Sequence, residues 1–536
     1  MKNILIAIRS IFKKGRHNVM KIVSLGIGLA VGLVLIAKVY FEQSYDDFYP
    51  DRDRVYQVWA KYQQNGGELK DYPQTSGGIA PTMQQQIPEI ETVTRYTSFG
   101  DWTFTMTDTK MKYSGRCIIA DSCFFDILPR PMLLGNAKEV LSTPMYVLIS
   151  SRIAKNIGGD VIGKNFTVDS SPGRTMTIGG VFEEVPENSH SRYDVIVSMA
   201  SASRFMWEGS PTNMLGNDRY ISYVKLHKGV NPLALEEQVH TFVNSYFPPE
   251  EQQKTGFNIG FSFHELDGLH KELPQVKRMT WILSLLAFAL IFTAVMNYIL
   301  IVISSIVNRS KEVAVHKCYG ASENNIHGMM FGEALVHIVL SLILALLLIL
   351  AFRGTVEELL ATSLDSLLLS NGSLVLLGIC ILVFFVSGFM PGSLYARIPV
   401  ASAFRNYREN KRIWKKALLL VQFVATGFLV TMLVFVARQY TFMVNDRPGY
   451  AYENLAYCGL AGVDSTSRAK ILDEVMRLPG VVAATTVYQL PFEHASGNNI
   501  LLPGETQELF NIADLYWVGN GYLDMMEIPV IQGRSF

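Results

Sequence analysis

The sequence predicts an α-helical membrane protein with α+β extracytoplasmic domains. Five segments of about 20 apolar residues have the length that a helix needs to cross the hydrocarbon of a bilayer. Between the first two, residues 42–278 form a mixed polar region that is long enough for a domain with its own core. The 536 residues carry no net formal charge, so no general attraction to nucleic acid is implied.

We predict membrane spans at residues 22–41, 279–307, 329–352, 373–396 and 417–437. Buried helices of soluble proteins rarely run this long without charge, and Glu333 is the one acidic residue inside these segments. The first span could instead be a cleaved signal peptide. Its apolar core is longer than a typical signal core and no small-x-small site follows it, which favours a span.

The distribution of Lys and Arg predicts the orientation of the spans. Residues 1–21 contain basic but no acidic side chains, and residues 397–416 form a basic linker with a single acid, Glu409. Basic segments stay in the cytoplasm, so residues 1–21, 308–328 and 397–416 are predicted inside and residues 42–278, 353–372 and 438–536 outside. Within 1–21, apolar residues recur on one helical face, which predicts an amphipathic helix on the inner surface; a plain basic flank is the alternative.

The first outer domain, residues 42–278, mixes strand and helix patterns. Residues 55–59 and 176–178 alternate like strands, and residues 233–246 carry apolar side chains on one helical face. Cys117 and Cys123 share this domain, so a disulfide is one possibility and two free thiols, which we favour, are the other.

An internal repeat connects this domain to the end of the chain. Residues 124–135 align with residues 522–533 at a constant offset, with Asp, Pro and Gly in matching places. The repeat predicts that residues 438–536 form a second extracytoplasmic domain. Because little sequence follows the second copy, we expect that domain to be incomplete and the chain to be C-terminally truncated.

Motifs for enzyme chemistry are missing from the sequence. It contains no G-x-x-x-x-G-K-[ST] phosphate loop, no H-E-x-x-H zinc motif and no G-x-S-x-G elbow. His190 is the most conspicuous isolated polar residue, but the surrounding Pro, Asn and Ser favour a turn. We therefore expect no catalytic site, no metal and no cofactor in this chain.

The inner segment 308–328 has the pattern of a short helix between two spans. Charged and apolar residues alternate at helical spacing, Glu312 and His316 are one turn apart, and Gly320 and Ser322 suit a C-terminal and an N-terminal cap. Such a helix can insert into a groove of a cytoplasmic partner, and we expect Glu312 and Lys317 on its exposed, partner-binding face. A generic basic connector is the alternative.

These motifs resemble the MacB/FtsX-type permeases of ABC transporters. The family's inner motif, K/R-E-[VI]-x-x-x-K-x-x-G-A-S, is matched by residues 311–322, and the outer-domain motifs are matched at residues 44–56, 121–126 and 186–190. Residues 388–391 resemble the family's G-x-x-P motif. The chain is similar to a long form, common in Bacteroidetes-like bacteria, in which two permease halves are fused. His316 departs from the family, which usually has Arg there.

The resemblance implies a function and a set of site residues. It implies that a separate cytoplasmic ABC ATPase docks on the inner helix, and that hydrolysis moves the outer domains to export or extrude a cargo. The residues of this ATPase-coupling helix would be Lys311, Glu312, Val313, His316, Lys317, Gly320 and Ala321. Residues of close helix packing in the membrane would be Gly28, Gly32, Glu333, Gly388 and Pro391.

The implied location is the bacterial inner membrane, with a cytoplasmic N-terminus. A periplasmic adaptor and an outer-membrane channel are further implied partners. Two other functions stay open at this point. The first is a signalling protein that controls a cell-wall hydrolase or a sensor kinase without transporting cargo, and the second is lipoprotein extraction by the same fold.

Overall fold

The computed structural model describes residues 17–64, 67–169, 171–216, 218–369, 371–401, 413–445, 449–460, 463–491, 496–503 and 508–535. The predicted amphipathic helix at the N-terminus and most of the basic linker 397–416 lie outside these residues. The chain divides into two units, residues 1–167 with 175–427, and residues 168–174 with 428–536.

The helices of the described residues are α1 Asn18–Gln43, α2 Ile79–Gln86, α3 Phe124–Ile127, α4 Ala137–Ser142, α5 Ser151–Ile157, α6 Ala202–Phe205, α7 Glu236–Tyr246, α8 Pro249–Thr255, α9 Pro274–Ser304, α10 Ile306–Cys318, α11 Glu323–Ala351, α12 Arg353–Leu360, α13 Leu364–Leu368, α14 Ser373–Ala396, α15 Ile413–Asn445, α16 Ser465–Met476 and α17 Tyr522–Met525. Short 3-10 helices cover Arg52–Arg54, Met199–Ser201, Pro232–Leu235 and Leu266–Gly268.

The strands are β1 Val55–Gln64, β2 Lys70–Tyr72, β3 Ile90–Met106, β4 Lys112–Ala120, β5 Met132–Leu134, β6 Tyr146–Ser150, β7 Asn165–Val168, β8 Ser171–Phe182, β9 Val195–Ser198, β10 Ile221–Leu226, β11 Phe257–Glu265, β12 Ser496–Leu501 and β13 Glu508–Leu515.

Five helices among the described residues, α1, α9, α11, α14 and α15, are long and apolar enough to cross a membrane. They overlap the five predicted spans. In the first unit, α1 packs against α9 and α11, and α14 packs against α9 and α11. Large apolar side chains such as Trp281, Phe288 and Leu377 stay exposed on these helices, which is expected of surfaces that face hydrocarbon.

The predicted second span differs from the observed helix at its inner end. We predicted residues 279–307 as one continuous span, but α9 stops at Ser304 and residues 306 and 307 already belong to α10. The apolar run continues through the break, so hydropathy alone could not reveal it. The inner helix therefore begins at Ile306, before the segment 308–328 in which it was expected.

The outer domain, residues 44–273, is built on one mixed sheet. Its strand order is β11-β1-β10-β3-β4-β9-β6-β8-β5, with β2 paired to β1 and β7 paired to β3 and β8. The pairs β4–β9 and β6–β8 are parallel, and β1–β10, β10–β3 and β3–β4 are antiparallel. In register, Val55 lies opposite Lys225 and Cys117 opposite Val195.

The core of the outer domain includes two buried clusters among the residues that the structure describes. Helices α2 and α7 cover one part of the sheet through Met83, Val239 and Phe242. The predicted helix over residues 233–246 is α7, which begins at Glu236 after the 3-10 turn Pro232–Leu235. The second cluster includes Tyr96 and Tyr223 and lies beside the entry from α1.

The second unit shows the local structure that the repeat predicts. Helix α17 occupies residues 522–525, which is the position of α3, Phe124–Ile127, shifted by the repeat offset. Gly135 and Gly533 also correspond, and both have positive φ, 80° and 98°. Strands β12 and β13 pair antiparallel, and Asp464 caps α16 by accepting from the backbone amides of Thr466 and Ser467.

Candidate inner coupling site

The inner helix α10 begins at a break in the backbone after the second span. The Ser305 hydroxyl donates to the carbonyl of Val302 at 2.6 Å. The Tyr395 hydroxyl, from the inner end of α14, donates to the same carbonyl at 3.1 Å. The Val302 carbonyl also accepts from the Ser305 backbone amide at 3.2 Å, so one amide and two hydroxyls satisfy this buried acceptor at the end of α9. A residue of α14 therefore stabilises the point where α9 ends and α10 starts.

The end of α10 is set by backbone caps. Gly320 has φ +87°, a left-handed conformation that residues with a Cβ rarely adopt. The amide of Ala321 donates to the His316 carbonyl at 3.0 Å, which completes the cap. The Ser322 hydroxyl then accepts from the Asn325 amide at 3.3 Å and starts α11.

One face of α10 is anchored in the membrane bundle by a buried ion cluster. The Arg309 guanidinium Nη1 lies 2.8 Å from the Glu333 carboxylate of α11, and both side chains are 7% exposed. Lys21 of α1 reaches the other carboxylate oxygen at 3.7 Å. Val313 and Ala314 are buried on the same side of α10. Glu333 therefore links the inner helix α10 to the spans α11 and α1 through ion pairs, in addition to packing between helices.

The electrostatics of this cluster keep Arg309 charged. Burial by itself would lower the pKa of the guanidinium, but the neighbouring Glu333 carboxylate raises it above the ordinary value for Arg. Glu312, which is more exposed, lies 3.6 Å from Arg309. The positive charges of Arg309 and Lys21 are therefore balanced by two carboxylates, one buried and one at the rim.

Lys317 is half-buried, so it does not lie on the fully exposed side of α10 where helical spacing predicted it. Its ammonium donates to the backbone carbonyls of Ala396 and Ile398, at 2.6 and 2.9 Å. These are orphan carbonyls at the C-terminal end of α14, where a cation is favourable. Helical spacing placed Lys317 at the surface but could not show that another helix ends beside it. Glu312 is also only partly exposed, because it lies beside Arg309.

The opposite face of α10 is exposed. Lys311, Val315, His316 and Tyr319 all lie on it. Val315 is 43% exposed and Tyr319 is 88% exposed. A large aromatic residue open to solvent next to an aliphatic one is typical of the centre of a protein–protein contact.

The glycines of the first span lie against the second span. A Cβ on Gly28 would come within 2.2 Å of the Ala294 Cβ, and one on Gly32 would come within 2.4 Å of Ile291 Cγ1. These close approaches allow α1 and α9 to pack with their backbones near each other.

Two more of the predicted packing residues lie in α14. A Cβ on Gly388 would come within 2.5 Å of the Phe331 ring of α11. Pro391 is buried inside α14. All five packing residues are thus on the buried sides of the bundle, and Glu333 has the additional ionic role.

Sequence reasoning missed Lys21, Arg309 and Tyr395 as members of the site. Lys21 was counted only among the basic residues of segment 1–21, and Arg309 was not singled out. A buried acid in a span requires a partner, so Glu333 was a signal that a cation from another element had to lie nearby.

The structure also places the cysteines and His190. All five cysteines of the chain are free thiols, including Cys117 and Cys123, in agreement with the favoured prediction. No group of three or more His, Cys, Asp or Glu side chains among the described residues could hold a metal ion. His190 lies in a loop between β8 and β9, as the turn pattern predicted, and makes hydrogen bonds to Asp46 and Tyr223.

Comparison with known families agrees with the resemblance seen in the sequence. A model of the MacB-like periplasmic core domain matches residues 20–242, and a model of the FtsX-like permease C-terminal matches residues 284–400. Together with the spans, these regions define a multi-pass membrane permease. The chain belongs to the MacB/FtsX-type permeases and is an ABC-type permease subunit, a transporter component.

Solved structures are similar to about two fifths of the chain. One is a domain of a putative permease protein from Porphyromonas gingivalis, which is 33% identical with a TM-score of 0.37. The match covers 40% of this chain and 91% of that chain. The periplasmic region of MacB from Actinobacillus actinomycetemcomitans has 15% identity, covers 41% and 92%, and has a TM-score of 0.28. The extracellular domain of the noncanonic ABC-type transporter YknZ from Gram-positive bacteria has 10% identity, covers 38% and 98%, and has a TM-score of 0.28. The comparison with curated proteins found no match.

Proposed function

We propose that this chain couples ATP hydrolysis by a separate cytoplasmic ABC ATPase to movement of its outer domain, and that this movement exports or extrudes a cargo. The observation that carries the proposal is the two-sided structure of α10. One side is joined to three spans by Arg309, Lys317 and the buried apolar residues, and the other side presents Val315 and Tyr319 to solvent. A partner bound to the exposed side would therefore move the bundle with it.

The proposed location is the bacterial inner membrane, with the N-terminus and α10 in the cytoplasm. The support is the excess of Lys and Arg in residues 1–21 and 397–416. By connectivity, α10 follows a span that leaves the outer domain at Pro274, so it lies at the end of the bundle far from that domain. A periplasmic adaptor and an outer-membrane channel are proposed as further partners on the outer side.

The exposed face of α10, and not the pair Glu312 and Lys317, is the proper target for a test. The ATPase is first identified by photocross-linking from position 316 in native membranes and is then purified. Its affinity for the full chain in lipid nanodiscs is measured for the wild type and for Tyr319→Ala. Loss of a central aromatic contact should weaken binding by roughly 30-fold, the effect typical of a hot spot.

The matched control is Glu358→Ala, an exposed residue of the outer-loop helix α12. It should leave both affinity and stimulated ATP hydrolysis unchanged, because exposed substitutions rarely disturb a fold. If Tyr319→Ala inserts normally and binds the ATPase with wild-type affinity, α10 is not the docking element and the proposal is wrong.

A further inference from the structure

Residues 187–191, here called the junction loop, connect β8 and β9 at the membrane side of the outer domain. The loop contacts the segment that follows the first span. The Asn188 side-chain amide donates to the Ser44 carbonyl at 2.6 Å, and the Asn188 carbonyl accepts from the Asp46 amide at 2.8 Å. The Ser191 hydroxyl lies 2.7 Å from the Tyr49 hydroxyl. The loop therefore holds residues 44–49, the connection between α1 and the sheet.

Asp46 is the centre of this contact. Its side chain is fully buried, and its carboxylate oxygens lie 2.7 Å from the Ser189 hydroxyl and 2.6 Å from His190 Nδ1. Its backbone has φ +59°, a left-handed conformation that is uncommon for a residue with a side chain. Surrounding contacts must hold a residue in such a conformation, and here the junction loop supplies them.

The junction loop also reaches the sheet directly. His190 Nε2 lies 2.6 Å from the Tyr223 hydroxyl, and Tyr223 is a fully buried residue of β10, between β1 and β3. A displacement of Asp46 would therefore pass through His190 to the interior of the sheet. Packed cores and fully bonded polar groups transmit such displacements because they are not easily compressed.

A third contact ties the loop to the connection between the third and fourth spans. The Glu187 carboxylate accepts from the backbone amide of Ser363 at 2.9 Å. Ser363 is the N-cap of α13, and Leu367 of that helix packs against Ala37 and Phe41 of the first span. Next to this contact, the Lys38 ammonium donates to Thr362 at 2.8 Å. Glu187 is thus the residue through which the junction loop contacts the outer ends of the other spans.

We propose that the junction loop transmits movement of the spans to the outer domain, with Glu187 as a positioning residue that couples the α12–α13 connection to the sheet. The inference rests on the proposed ATP-driven movement. Without the loop, the outer domain would be joined to the bundle mainly at two chain segments, near Ser44 and near Leu273, which the 2.6 Å contact between His270 and Glu42 ties together. With it, movement of α11 and α14 is carried to the sheet through Ser363, Glu187, and then His190.

The test uses the full chain with its ATPase in nanodiscs, with spin labels on the exposed outer-domain residue Lys112 and on the outer-loop residue Glu358. Distance distributions are recorded with and without ATP. Glu187→Ala should reduce the ATP-dependent shift between the distance populations by roughly tenfold, the effect expected from losing one hydrogen bond to a charged acceptor. Glu187→Gln keeps an acceptor oxygen and should restore most of the shift. Glu183→Ala, an exposed acid on the same connection, is the matched control and should behave as the wild type.

The outcomes separate the two proposals. If ATP is hydrolysed and the wild type shows no distance change, the proposed function is wrong. If the wild type moves and Glu187→Ala moves equally, the junction loop does not transmit movement and this inference is overturned. Loss of movement in Glu187→Ala with unchanged ATP hydrolysis and unchanged melting temperature, together with rescue by Glu187→Gln, supports it.

Discussion

Replacing Glu333 by Gln tests whether the ion cluster holds the inner helix to the bundle. Gln has nearly the same shape as Glu and can still accept a hydrogen bond, so the substitution removes charge and little else. In the wild type the carboxylate lies 2.8 Å from Arg309 and 3.7 Å from Lys21. After the substitution, two buried cations would remain near each other without the acid between them.

The magnitude follows from the burial of the cluster. Removing one member of a buried ion pair costs about 3–5 kcal/mol, because the charge left behind is neither solvated nor paired. We expect the lower end, about 3 kcal/mol, because Glu312 remains near Arg309 and is itself partly solvated. The double variant Glu333→Gln with Arg309→Gln should lose about 2 kcal/mol less than the sum of the two single variants, because it removes both members of the 2.8 Å ion pair together.

The measurement is equilibrium unfolding of the full chain in mixed micelles of a mild and a denaturing detergent, followed by tryptophan fluorescence. Glu358→Gln on the exposed outer-loop helix is the control and should change the free energy of unfolding by less than about 0.5 kcal/mol. The ion cluster does not hold the inner helix to the bundle if the free energy of unfolding of Glu333→Gln lies within that margin of the wild-type value. The same conclusion follows if the losses of the two single variants add up to the loss of the double variant.

Two further predictions concern packing and acid stability. Gly28→Ala should destabilise the chain by about 1–3 kcal/mol, because its Cβ would lie 2.2 Å from the Ala294 Cβ. Gly378→Ala, which has open space around it, should be neutral or slightly stabilising. The free energies of unfolding of both variants in detergent test this difference. In the outer domain, hydrogen bonds from Lys225 and Arg54 lower the pKa of Asp51 to about 2. The stability from this carboxylate is present above its unfolded pKa of about 4 and is lost as the pH falls towards 2. Because the Asp51 side chain is 35% exposed, Asp51→Asn should cost only about 1 kcal/mol at neutral pH. The melting temperatures of the variant and the wild type should converge as the pH falls towards 2. A constant difference in melting temperature at every pH would contradict the lowered pKa of Asp51.

Hydropathy predicted the spans well because it is a local property of the sequence. A run of about 20 apolar residues needs no knowledge of its neighbours to be recognised as a span. The caps at Gly320 and Ser322 were equally readable, because each is set by one residue and its own turn. The same holds for the small repeat helix at residues 522–525, which follows from the match with residues 124–127.

What the sequence could not predict depends on contacts between distant segments. Lys21 and Glu333 are separated by more than half of the chain, and only the packing of α1 against α11 brings them together. Lys317 was misplaced for the same reason, because its partners are carbonyls at the end of α14. In the outer domain, short alternating runs indicated strands, but the order β11-β1-β10-β3 depends on long crossovers that periodicity does not encode.

The ion cluster also sets an order for the biogenesis of the bundle. Lys21 and Arg309 precede Glu333 in the chain, so both cations are synthesised before their acid partner. Each lies in the first turn of its helix, from where a long side chain can reach the lipid headgroups and remain solvated. The acid between them is supplied only by α11. The first two spans, which pack against each other at Gly28 and Ala294, therefore precede the residue that completes the cluster.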